Sequence, residues 1–197
     1  MTEIGESAFF GCTSLESFYG KFASDDNRCL IVNGELIFFA PANLTTYSIP
    51  NYVTEIGESA FYGCSSLTSV TIGDSVTSIG SSAFSSCRSL TRATIGNGVT
   101  SIGWCAFKGC SSLTSVTIGY GVTSIEGYAF YDCTSLTSVY CKRRSPPTGG
   151  VCMFRYSNDG YEQTIYCDIY VPHNCVSEYQ SARYWREYAS NIVGYNF

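Results

Sequence analysis

Apolar residues recur along most of the chain at a fixed interval. Ile56, Ile79, Ile102 and Ile125 stand 23 positions apart, and Ala60, Ala83, Ala106 and Ala129 keep step with them. So do Phe61, Phe84, Phe107 and Phe130, then Cys64, Cys87, Cys110 and Cys133, then Leu67, Leu90, Leu113 and Leu136. Three further slots vary only within small or apolar types: Val70, Ala93, Val116 and Val139; Ile72, Ile95, Ile118 and Cys141; Val53, Val76, Val99 and Val122. A repeating unit of this length buries too little of its own apolar face to fold alone. The pattern therefore predicts a solenoid in which each coil lies on the next.

Within a unit, Leu67-x-x-Val70-x-Ile72 reads as a short strand, with Val70 and Ile72 inward and Ser69 and Thr71 outward. Gly73-Asp74-Ser75, Gly96-Asn97-Gly98 and Gly119-Tyr120-Gly121 turn the chain after it. Val76-Thr77-Ser78-Ile79 forms a second extended piece, and Ser81 to Cys87 a short helical turn that tucks Phe84 under the coil. Residues 4–18 supply a further copy, in which Ile4, Ala8, Phe9, Cys12 and Leu15 precede their counterparts by 52 positions. That span is two periods and six residues, so one unit carries an insertion. Arg28 to Val32 and Glu35 to Phe39 are apolar runs joined by Asn33-Gly34, the dipeptide that accepts the two positive φ angles of a type I′ turn. Residues 19–43 thus read as a hairpin replacing the outer half of one repeat.

After Cys141 the period is expected to stop. Lys142 to Gly150 reads as a polar loop, Thr164 to Val171 as extended, and Val176, Tyr179, Ala182, Trp185, Tyr188 and Ile192 fall at helical spacing. The expected division is 1–141 for the repeats and 142–197 for a strand-helix cap. The fold class is a leucine-rich repeat solenoid, strand-rich with short helical turns, a right-handed coil with an inserted β-hairpin.

Composition adds mainly exclusions. The formal charge is -5, from 11 basic and 16 acidic residues, so the long-range positive field that gathers nucleic acid is missing. No run of about 18 apolar residues predicts a membrane span, and Met1-Thr2-Glu3-Ile4 begins no export signal. Because the opening residues already lie inside the repeat, the N-terminus reads as the cut end of a longer protein.

The L-x-x-V-x-I strand, the V-T-S-I segment and the recurring Ala-Phe-x-x-Cys turn resemble leucine-rich repeats of the BspA type, with Gly73, Gly96 and Gly119 standing where that family often has Pro. The tail is similar to the endings of such proteins in gut Bacteroides through Tyr140-Cys141-Lys142, Pro146-Pro147-Thr148, Ile169 to Pro172 and Trp185, which implies a natural C-terminus. The resemblance implies a secreted or surface-attached bacterial protein, with adhesins for host matrix or other bacteria among its relatives. It implies no cofactor and transfers no ligand-binding residue.

Candidate chemistry is sparse. Cys12, Cys64, Cys87, Cys110 and Cys133 share one inward slot, where a thiol serves as a small apolar filler, and stacked equivalents run parallel rather than converging for disulfides. Among the remaining cysteines, one disulfide within Cys152, Cys167 and Cys175 stays open. Those three with His173 lack zinc-ligand spacing. The single histidine leaves His173 and Cys175 as the only conceivable nucleophile pair. Asp25-Asp26-Asn27 reads as a polar turn rather than a calcium loop, and Asn43-Leu44-Thr45 as a glycosylation acceptor only in a eukaryotic secretory pathway.

Slots where the repeats differ are free for recognition, and aromatic side chains are favoured at interface hot spots. Trp104, Tyr120, Tyr128, Tyr131 and Tyr140 are the candidate ligand-binding residues, expected to form one lateral surface near the C-terminal end. The expected function is non-catalytic binding of a protein or glycoprotein ligand by a module outside the cell. The alternatives are a structural spacer and a metal-binding or enzymatic tail.

Overall fold

The computed structural model describes residues 12, 14–158, 161–164 and 167–197, and the strands it contains fall into two stacked ladders and two hairpins. In chain order they are β1 (Cys29–Val32), β2 (Glu35–Phe39), β3 (Thr46–Ser48), β4 (Glu55–Ile56), β5 (Ser69–Ile72), β6 (Ser78–Ile79), β7 (Arg92–Ile95) and β8 (Ser101–Ile102). There follow β9 (Ser115–Ile118), β10 (Ser124–Ile125), β11 (Ser138–Cys141), β12 (Thr148–Gly149), β13 (Arg155–Asn158), β14 (Tyr161–Thr164), β15 (Asp168–Pro172) and β16 (Ile192–Tyr195). One seven-stranded sheet runs β16-β15-β11-β9-β7-β5-β3, and the other β1-β2-β4-β6-β8-β10-β12. Every pairing in the first sheet is parallel and in register, so Val70, Ala93 and Val116 lie side by side, as do Ile72, Ile95 and Ile118. The 23-residue period is thereby the circumference of one coil.

The third side of each coil is not the expected helical turn. It is a run of tight turns in which amides alternate between two partners. Phe84 N donates to Ala106 O of the next coil at 2.7 Å and Ser86 N to Lys108 O at 2.7 Å, while Ser85 N bonds Ser82 O within its own coil at 3.0 Å. Two residues per coil take left-handed φ to allow this, Ser82 (54°) and Ser86 (61°) in one coil and Cys105 (55°) and Gly109 (71°) in the next. A continuous helix would direct all its amides along its own axis and leave this side unlinked.

The interior is a column of rings and thiols. Phe39, Phe61, Phe84, Phe107, Phe130 and Phe154 stack in succession with centroids 4.6, 4.7, 5.0, 5.2 and 5.5 Å apart. The ladder cysteines are more than fillers. Cys87 Sγ donates to Phe61 O at 3.1 Å, Cys110 Sγ to Phe84 O and Cys133 Sγ to Phe107 O at 3.2 Å, giving each Phe carbonyl a second donor from the coil above. Cys12 differs from its slot-mates in being exposed; Ile4, Ala8 and Phe9 of the same expected copy lie outside the described residues. Leu15 and Phe18 of that stretch pack with Leu30, Phe38 and Ala40 in a small second core beside the hairpin.

Two threonine rails tie the coils together outside. Thr68, Thr91, Thr114 and Thr137 each donate Oγ1 to the carbonyl of the threonine 23 residues earlier, at 2.9 to 3.1 Å. Thr77, Thr100 and Thr123 do the same at the start of the short strands, at 2.9 to 3.0 Å. The backbone amide of each shares the same acceptor, as at Thr91 N to Thr68 O, 2.9 Å.

The inserted hairpin β1-β2 is where Asn33-Gly34 predicts it, with φ of 52° and 86° at those residues. Its second strand, however, belongs to the solenoid. Glu35 and Leu36 pair in parallel with Glu55 and Ile56, Leu36 fills the Ile slot, and Phe39 heads the ring column. The repeat also continues past Cys141. Thr148 and Gly149 pair with Ser124 and Ile125, and Met153 O accepts from Phe130 N at 3.0 Å, so residues 148–154 add a further half coil to what was expected to be an aperiodic loop.

The cap departs from expectation in two places. Helix α1 (Val176–Ser181) stops at Ala182, which is extended, and Ile192 opens the last parallel strand instead of continuing a helix. An antiparallel hairpin, β13-β14, precedes β15; Ile165 and Tyr166 of the segment expected to be extended lie outside the described residues. Buried Tyr179, Trp185 and Tyr188 close the end of the column, Trp185 and Tyr188 against Phe154 at 6.2 and 5.4 Å. No helix of the described residues is long and apolar enough to cross a membrane.

Candidate ligand-binding surface

The outward face of the long sheet changes character along its length. Parallel register aligns Thr71, Thr94 and Thr117 with Tyr140, then Tyr170, then Val193. A column of threonines thus passes into two tyrosines before Val193, because the last strands keep the in-out alternation but not the repeat's residue choice. Tyr140 and Tyr170 stack at 4.8 Å, Tyr195 sets its edge against both at 5.6 and 5.4 Å, and Phe197 lies 5.1 Å from Tyr195. Tyr170 Oη donates to Asp168 Oδ2 at 3.1 Å, a bond that favours the neutral phenol and raises its pKa above the ordinary tyrosine range.

Beside this face, the turns after the long strands form a ladder of their own. Asn97 N donates to Asp74 Oδ1 at 2.6 Å, Tyr120 N to Asn97 Oδ1 at 3.2 Å, and Arg143 Nη1 to Tyr120 O at 3.2 Å. The rung therefore passes from Asp through Asn and Tyr to Arg. The backbone of the basic segment is held from beneath by the cap, since Tyr179 Oη donates to Arg143 O at 2.9 Å and Trp185 Nε1 to Pro147 O at 2.8 Å. Burial drives the Tyr179 hydroxyl pKa well upward, so it remains a donor. What reads in the sequence as a solvated loop is an anchored strip, with Lys142 Nζ 5.8 Å from the Tyr120 ring centroid.

Of the five candidate residues, the structure brings three together on the tight-turn side and sets the other two beside the long sheet. Trp104 and Tyr128 lie 5.0 Å apart, Tyr128 and Tyr131 5.2 Å, with Lys108 Nζ 5.4 Å from the Tyr131 ring. Trp104 is exposed but Tyr131 retains only 9% of its surface; in the same slot after each Phe, Ser85 is buried and Tyr62 and Lys108 are half-buried. Tyr120 sits in the corner turn rather than on a strand, half exposed, and Tyr140 belongs to the aromatic face. The expected single surface is thus two. Tyr170, Tyr195 and Phe197 were missed, although the alternation Ile169-Tyr170-Val171 marks Tyr170 as outward.

Cys141, Cys167 and Cys175 are buried. Burial pushes the Cys141 thiol far up and Cys167 to about 12, the reverse of what activates a nucleophile. Cys175 Sγ faces Asn174 Oδ1 at 3.4 Å, while His173 is exposed at the surface. Among the described residues no three His, Cys, Asp or Glu side chains form a metal-holding group. Asp26 is turned inward on its own loop, accepting from Ser24 Oγ at 2.5 Å and Arg28 N at 3.0 Å.

Residues 35–158 match the model of the BspA-type leucine-rich repeat region in six copies, beginning at β2 and ending past the half coil of residues 148–154. A leucine-rich cell surface protein of Faecalibacterium prausnitzii is 30% identical, over 64% of this chain and 35% of its own, with a TM-score of 0.53. The pneumococcal vaccine antigen PcpA shares the fold at 16% identity, over 89% of this chain and 48% of its own, TM-score 0.57. A leucine-rich repeat protein of Bacteroides ovatus does so at 24%, over 79% and 43%, TM-score 0.51. The chain spans about a third to a half of the length of these three. No curated protein matches it.

Proposed function

Since the chain belongs to the BspA-type leucine-rich repeat family, we propose that it is a non-catalytic adhesion module of a bacterial surface protein, whose aromatic end binds a protein or glycoprotein outside the cell. The observation that carries this reading is the change from Thr71, Thr94 and Thr117 to Tyr140 and Tyr170 in one outward column, with Tyr195 and Phe197 added to it. Aromatic rings fixed in place offer large contact area at little entropic cost, and they sit where the repeat itself asks only for threonine. The earlier coils fit the role of a riser. Their rail hydroxyls are occupied in coil-to-coil bonds, which tie successive coils together under the aromatic end.

The test is a binding screen against immobilised extracellular-matrix proteins and mucins. Tyr140→Thr with Tyr170→Thr restores the residue of the repeat without touching the core. Capture that falls at least about tenfold in this double variant, with Trp104→Ser unchanged, supports the reading. Equal capture by wild type and double variant, or none by either, refutes it.

A further inference from the structure

Where the corner ladder meets the last strand there is a groove of about 270 Å³, just under the roughly 300 Å³ at which drug-sized ligand pockets begin. Tyr120, Tyr195 and Phe197 give it aromatic walls, Lys142 and Arg144 give it positive charge, and His173 stands at its edge. Resting on the adhesive reading above, we propose that this groove binds a sugar ring bearing a carboxylate, of the kind that terminates acidic glycan chains.

Charge is the first argument. The whole chain carries -5, yet the lining places Lys142 and Arg144 together, with no Asp or Glu side chain among the lining residues. Arg144 is exposed and has no hydrogen bond or ion pair among the described residues, so its planar fork is free to take a carboxylate through two parallel bonds. Lys142 keeps its place over the Tyr120 ring and adds a second charge without needing to be reoriented.

Shape and rigidity are the second. Tyr120 is 50% exposed, Tyr195 42% and Phe197 44%, so each keeps ring surface for the apolar face of a sugar. The His173 imidazole lies against Gly194, where a Cβ would run into the ring, and its exposed place at the rim offers a hydrogen-bonding group for hydroxyls. The basic strip has its backbone pinned by Tyr179 and Trp185, so little loop ordering is required on binding. An extended acidic peptide would need a channel several residues long; this groove is compact and takes one ring.

His173 is the only histidine, so its imidazole proton signals report on the groove without assignment of the rest of the spectrum. The experiment titrates the full chain with sialyllactose, lactose and an acidic hexaglutamate peptide, following His173 and the Trp104 and Trp185 indole signals. Sialyllactose shifts His173 saturably, lactose binds at least about tenfold more weakly, and Arg144→Gln weakens sialyllactose by about tenfold while Trp104→Ser does not. Equal binding of lactose, equal or tighter binding of the peptide, a response confined to Trp104, or no shift at roughly 10 mM overturns the inference. A chain that captures a matrix protein but leaves His173 unmoved by sialyllactose loses this ligand and keeps its adhesive role. A chain whose His173 responds while no immobilised macromolecule is captured keeps the groove and loses the broader role.

Discussion

Replacing Phe107 by alanine isolates the contribution of the ring column. Phe107 is fully buried and lies between Phe84, 5.0 Å away at 7°, and Phe130, 5.2 Å away at 6°. Removing a buried phenylalanine ring costs about 3 to 5 kcal/mol in lost transfer energy and cavity formation. Two aromatic partners go with it, each contributing about 0.5 to 1.5 kcal/mol beyond area, so the expected loss sits at the top of that range, near 5 kcal/mol. The surrounding side chains are ill placed to relax into the hole, because each is held in register by strands on both sides of its coil. In a solenoid each coil contacts only its neighbours, so a defect at the middle weakens coupling between the halves. Urea unfolding followed by circular dichroism should show a lower midpoint and a broader, shallower transition as the halves separate. Ser115→Ala, on the outward side of β9, should stay within about 0.5 kcal/mol of wild type. A Phe107→Ala loss below about 2 kcal/mol, or equal losses in the two variants, would refute the column as the main source of cohesion.

Thr91→Val removes one rail hydroxyl while leaving the backbone amide on the same carbonyl, and should cost about 0.5 to 1 kcal/mol in urea midpoint, with Thr91→Ser close to wild type. Ser86→Gly should raise stability by roughly 0.5 to 1 kcal/mol, because Ser86 holds a φ of 61° at the slot where Gly63 and Gly109 stand in neighbouring coils. Stability should also fall in alkali. Cys64, Cys87, Cys110 and Cys141 are held neutral by burial and, for Cys64, first by the bond with Cys87, so their contribution is complete below the ordinary thiol pKa of 9.0 and is lost as pH rises above it. Each thiol that ionises only when unfolded adds about 1.4 kcal/mol of loss per pH unit, and urea midpoints under reducing conditions that stay flat from about pH 8 to about pH 10 would contradict their burial.

The coil was legible because its core slots are filled by the same residues four times over. It became illegible where a different residue does the same job at a different spacing. Leu36 precedes its partner Ile56 by 20 positions and Phe39 precedes Phe61 by 22, so a search at 23 passes over a coil that the hairpin strand completes. At the other end Gly149 stands beside Ile125 and Phe154 under Phe130, each 24 positions on, and neither Gly149 nor Met153 resembles the residue it replaces. The left-handed residues Ser82, Cys105 and Tyr128 are invisible beforehand, since nothing in their chemistry marks positive φ as Gly34 does. For the candidate surface, period alone tells that Trp104 and Tyr140 escape the core slots, but not which side of the coil each occupies. Their separation into two clusters follows from the turn geometry, which only the folded chain displays.

The threonine rails give the molecule a graduated height. Each rung grips an atom that every other level supplies in identical form, so excising residues 80–102 would hand Thr123 the carbonyl of Thr77 and Thr114 that of Thr68 without creating an unfamiliar junction. Duplicating the same stretch would do the opposite with equal ease. Either change shifts the tyrosine rim toward or away from the hairpin by one strand spacing, about 4.8 Å. Reach can thus be adjusted over generations by whole-unit gain or loss, independently of what the rim holds.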